Sequence, residues 1–217
     1  MRSILLSFIL IIGININLYA ETDKEQNLFN YSMNCSALFY IMTSSSIDLS
    51  STKEIREDPE WKDYSLYATR LNDSMMNMAN YFLHVLYDLP PKNFYELNII
   101  RAKYADSLVA EYYRDQKSVL QIFNSCFDFI DQFEILNLKM SRVAKKDQNN
   151  ENLKKLFLEL KPNNQASMDK EEAELIKKVL PRSVKGLEFI LKQLKVSSVM
   201  EYELKIQNMI KEGLQKK

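Results

Sequence analysis

The sequence predicts an all-α protein: an antiparallel up-down helical bundle of about four long helices, with a C-terminal appendage of shorter helices. Two observations carry this. Apolar residues recur at alternating spacings of three and four along three long stretches, the seam of helices packed lengthwise against one another. Glycine is almost absent, with only Gly13, Gly186 and Gly213 in the chain; strand-rich folds need glycine in their tight turns.

Residues 1–20 precede the bundle. Met1-Arg2 is a basic start, Ile4 to Ile12 is an apolar run broken only by Ser7, and Leu18-Tyr19-Ala20 leads into acidic Glu21. This is the pattern of a secretory signal peptide. The apolar run is shorter than the roughly 20 residues a membrane span needs, which argues against an uncleaved anchor. The expected product starts near Glu21 and is periplasmic, otherwise extracellular, with no transmembrane segment after cleavage.

The first helix is expected over about residues 22–43, from the seam Leu28, Tyr31, Cys35, Leu38 and Met42. The Ser/Thr-rich stretch Thr43 to Thr52 reads as a loop. Asp58-Pro59, a capping residue followed by proline at the first helical position, opens the second helix. Its seam runs Trp61, Tyr64, Ala68, Leu71, Met75, Met78, Phe82, Val85 and Leu89, and Pro90-Pro91 ends it. Asn93 with Glu96 forms an Asn-x-x-Glu capping pattern for the third helix, striped by Phe94, Leu97, Ile100, Tyr104, Leu108 and Tyr112. Arg114-Asp115-Gln116 marks either a break or a kink before the fourth, whose seam is Val119, Ile122, Cys126, Phe129, Phe133, Leu136, Met140 and Val143.

Composition changes after residue 143. Residues 21–143 hold 12 Lys+Arg against 18 Asp+Glu and 19 aromatic residues. Residues 144–217 hold 16 against 11, and only Phe157, Phe189 and Tyr202. The organisation expected is therefore a signal peptide at 1–20, an aromatic-rich bundle at 21–143 and a lysine-rich appendage at 144–217 that opposite charge could dock onto it. Short helices are expected at 151–161, 169–180, 182–195 and 198–213.

Cys35 and Cys126 both occupy seam positions, on the first and fourth helices, which are neighbours in an up-down bundle. In an exported chain such a pair is expected to form a disulfide. Their spacing excludes CxxC redox chemistry and haem attachment.

Chemistry-bearing motifs are few. Two glycines after residue 20 cannot make a phosphate-cradling loop. A single histidine, His84, excludes the HExxH zinc motif and paired Glu-x-x-His di-iron ligands, and no GxSxG elbow accompanies it. Met75, Met76 and Met78 could offer soft thioethers to Cu(I), yet Met75 and Met78 are seam residues and read as core. Glu111 with Asp115, or Asp128 with Asp131, are carboxylate pairs of the kind glycosidases use, and equally the ordinary surface of an acidic helix. Asn30, Asn34 and Asn72 open glycosylation triplets, relevant only in a eukaryotic source. The near-neutral charge gives no reason to expect a nucleic acid partner. No catalytic, cofactor-binding or metal residue is therefore assigned and no cofactor expected. The expected function is a non-enzymatic binding, interaction or structural module acting on a protein partner. The alternatives are a carboxylate-dependent lytic or glycan-cleaving enzyme and a bundle holding an apolar ligand.

Overall fold

The computed structural model describes residues 24–43, 59–87, 89–143, 150–163, 165–167 and 170–215. The expected signal peptide and the Thr43–Thr52 loop after Thr43 lie outside them. The described residues are all-α, with no strand. They form α1 (Lys24–Thr43), α2 (Pro59–Tyr87), α3 (Phe94–Arg114), α4 (Gln116–Val143), α5 (Asn150–Phe157), α6 (Lys170–Gln193) and α7 (Val199–Gln215).

Helix α1 is the axis of the molecule. The expected single seam understates it, because Leu28, Phe29, Met33, Ala37, Leu38, Phe39, Ile41 and Met42 are all buried, a set that runs round the helix. A helix apolar on every side belongs in the interior, and α2, α3, α4 and α6 all pack on α1. Helix α2 runs antiparallel to it: Ser36 Oγ donates to Asn72 Oδ1 at 2.9 Å, while Phe29 and Met33 share a cluster with Met76, Ala79 and Leu83 further along α2. Helix α4 is antiparallel on another side. There the rings of Tyr31 and Phe129 meet edge-on at 4.9 Å, and Phe39 meets Phe127 at 5.5 Å. Between these ring pairs the disulfide Cys35–Cys126 joins α1 to α4, with its Cα atoms 5.6 Å apart.

The α2 seam is buried from Ala68 to Val85. Leu89 departs from it: the helix stops at Tyr87, and Leu89 is exposed while its N–H returns to Leu83 O at 3.2 Å. Asn80 then clamps the Pro90-Pro91 turn, donating to Lys92 O at 2.9 Å and accepting from Lys92 N–H at 2.7 Å. The capping box at Asn93 forms in both directions, each bond 3.0 Å. The α3 stripe is rotated from the expected one. Phe94 is exposed, and the inward face is Leu97, Asn98, Arg101, Ala102, Ala105, Leu108 and Tyr112. At the junction with α4 the chain breaks at Asp115, which is extended (φ −153°, ψ 96°).

The C-terminal helices share the apolar core of the bundle. Phe157 is fully buried, edge-on to Tyr81 at 5.5 Å and Phe82 at 5.2 Å. Glutamines of α4 secure the segment that follows: Gln132 exchanges hydrogen bonds with Lys161 at 3.0 and 3.1 Å, and Gln121 donates to Ala166 O at 3.0 Å. The break expected between residues 180 and 182 does not occur. Helix α6 continues through Pro181. An interior proline costs about 3 kcal/mol, but Ile176, Val179 and Leu180 before it and Val184 and Leu187 after it are all buried. Each such side chain contributes about 1.5–3 kcal/mol on burial, which outweighs the missing backbone bond. After Gln193 the chain turns through Lys195, whose φ of 53° is left-handed, and α7 begins.

Candidate functional site

Helix α7 lies antiparallel across α3, and the space beneath it holds a buried polar cluster contributed by four helices. Arg101 of α3 and Glu203 of α7 are both buried and paired at 2.9 Å. The other guanidinium nitrogen, Nη1, donates to Asn72 Oδ1 of α2 at 3.3 Å and approaches Met76 Sδ at 3.4 Å. The ring of Tyr40, from α1, lies flat beneath the guanidinium at 4.0 Å, a cation–π arrangement that strengthens where water is excluded. Burial, and then the negative charge of Glu203, push the Tyr40 phenol well above its ordinary range, so it is neutral and donates to that carboxylate. On the inward face of α3, Asn98 Oδ1 and Arg101 Nε are buried with no hydrogen-bond partner among the described residues.

The ends of α7 are fixed by polar contacts as well. Asp106 accepts from the N–H groups of Val199 (2.7 Å) and Met200 (3.1 Å), placing a carboxylate on the helix N-terminus. Ser198 Oγ accepts from Glu201 N–H at 3.1 Å. The Ser197 N–H and hydroxyl in turn hold the Glu201 carboxyl below the usual range. Gln207 donates to Tyr95 O at 3.1 Å.

Outside this cluster, the start of α3 and the flank of α7 border an open groove of about 470 Å³, lined by Tyr95, Ile99 and Ile100 with Lys92, Glu96 and Lys211 at its rim. Tyr95 is exposed at the groove, and the Phe94 ring, 63% exposed, meets it edge-on at 6.4 Å.

The residues singled out from sequence fall elsewhere. His84 is exposed on α2. Met75 and Met78 lie in the main core, and Met76 packs in the second cluster, against Arg101. Glu111 pairs with Arg114, and Asp115 caps the Lys117 N–H at 3.0 Å. Asp128 accepts from Gln132 at 2.7 Å. Asn72 is buried and engaged by Ser36 and Arg101, so its triplet is closed to glycosylation in the folded chain. Among the described residues no group of three or more His, Cys, Asp or Glu could hold a metal ion, and no helix is long and apolar enough to cross a membrane.

Fold and site together define a cystine-bridged all-α protein with a central buried helix and an exposed apolar groove. Set against known protein families, curated proteins and solved structures, the chain matches none of them.

Proposed function

We propose that this protein is an exported, non-enzymatic binding module that engages a protein partner through the groove between α3 and α7. The observation carrying this reading is the apolar wall of that groove, Tyr95, Ile99 and Ile100, extended by the exposed Phe94 ring that meets Tyr95 edge-on at 6.4 Å. Large apolar side chains gathered at one surface favour an interaction site over ordinary solvent contact. Lysines 92 and 211 at the rim suit a partner segment that sets acidic residues beside an apolar face. Export is supported by the charge and apolar pattern of residues 1–20 and by the bridged cysteines.

A photo-crosslinking residue placed at Tyr95 or Lys211, one on each wall of the groove, against one at Asp131 on exposed α4 surface, tests the site in the native compartment. One discrete adduct from the first two positions and none from the third is expected. Equal labelling from all three positions, or none from any, sinks the reading. Export is checked by mass spectrometry of the mature N-terminus, expected at or near Glu21; intact Met1 recovered from the membrane fraction overturns it.

A further inference from the structure

We propose that α7 is exchangeable between two copies of this chain, so that Glu203 of each copy pairs with Arg101 of the other in a helix-swapped dimer. This goes beyond the partner-binding reading and does not rest on it. Three features point to exchange.

The first is how α7 is held. Its contacts with α3 are directional and polar: Asp106 on the N-terminal N–H groups, Arg101 on Glu203, and Tyr95 O on Gln207. Val199 is the one fully buried apolar residue described in α7, whereas Leu204, Met209 and Ile210 are exposed. Met200, Tyr202 and Ile206 are half-buried, Met200 against the main core, and every contact given up on undocking, polar or apolar, can be remade identically by the same helix of another copy. The Ser198 and Glu201 cap belongs to α7 itself, so the element travels as a formed helix.

The second is the receptor. Asn72 and the Tyr40 ring hold the Arg101 guanidinium from α2 and α1, with no help from α7. Because those contacts come from α1 and α2, a site vacated by α7 keeps partners that orient the guanidinium, and a second copy supplies the matching carboxylate on a helix already shaped to cover it.

The third is the hinge. Residues 194–198 join α6 to α7 and reach about 17 Å when extended. They contain Lys195 at φ 53°, a conformation disfavoured for any residue with a Cβ. A short hinge under strain invites swapping, because opening it releases the strain while the docked contacts are recovered between copies.

The test uses the mature chain with its disulfide intact, refolded over a wide range of protein concentration and sized by light scattering and native mass spectrometry. Concentrated refolding should give a dimer that dilution only slowly dissolves, and Lys195→Gly should raise its dissociation constant by at least about tenfold. Arg101→Glu and Glu203→Arg chains are then refolded together. Each alone places like charges in its own site, but exchange in the mixture restores both pairs, so a one-to-one heterodimer is expected. A chain carrying both substitutions, with its pair restored internally, controls for folding. If the unaltered chain stays monomeric at every concentration, the proposal fails whatever the variants do. A dimer unaffected by Lys195→Gly, or a foldable double variant whose parent single variants never combine, also overturns it.

Discussion

Arg101 is the one charge among the buried residues of the inward face of α3, and it shows how a single residue escapes a stripe count. Leu97, Arg101, Ala105, Leu108 and Tyr112 follow one helical face at spacings of four, four, three and four, and all five are buried. Counting apolar residues alone selects Phe94, Ile100 and Tyr104 instead, and so turns the helix by part of a turn. The legible signal was a charge sitting between Leu97 and Ala105 on the inner face. Its partner Glu203 lies 102 positions away, beyond any local pattern. Removing one partner of a buried pair strands the other, so Glu203→Gln or Arg101→Met should cost about 3–5 kcal/mol in urea unfolding. Replacing both with methionine should cost clearly less than the two single losses summed; strict additivity would show that the pair is not coupled. The cysteines were legible, because seam position and helix order together place them side by side. Their closed loop has a sequence separation of 91, and Cys126→Ser should lower stability by about 2–4 kcal/mol. An unchanged melting temperature would contradict that.

At the scale of elements, α2, α4 and the capping box of α3 follow their sequence signals closely, since each rests on contacts within a few turns. Helix α6 does not, because a proline's local cost is set against core contacts that sequence spacing does not display. Pro181→Ala should therefore raise stability, by about 1–3 kcal/mol, as the backbone bond to residue 177 becomes available. A loss of stability in thermal melts would mean that the proline ring packs in a way alanine cannot replace. Lys195 pays for the α6–α7 turn with left-handed backbone, which costs an L-residue about 1–2 kcal/mol. Lys195→Gly should stabilise the monomer by up to about 1 kcal/mol after glycine's larger unfolded-state entropy is subtracted.

For the whole molecule, buried phenols set the alkaline limit. Burial, only partly offset by its hydrogen bond with Ser125, raises Tyr31 to about 12, and Tyr40 is raised further. A raised pKa means the native state keeps a proton that the unfolded chain has released. The stability these groups contribute is thus complete below the unfolded pKa of about 10 and is lost as pH rises through the folded values. Melting temperature should fall steeply above pH of about 10, with tyrosinate absorbance appearing in two stages: exposed phenols first, then buried ones together with unfolding. Tyr31→Phe should make the alkaline decline shallower, and an unchanged slope would remove Tyr31 from the account.

By itself the sequence determined the all-α class, most helix limits, the break-or-kink position near Asp115 and the inward aim of both cysteines. All of these follow from periodicity and capping, whose range is a few residues along the chain. Tertiary structure alone decided that α1 is central, that α6 runs through its proline, and that α7 covers a charge pair drawn from distant segments. Those outcomes depend on which faces meet across long separations, where burial of many side chains outweighs any local preference.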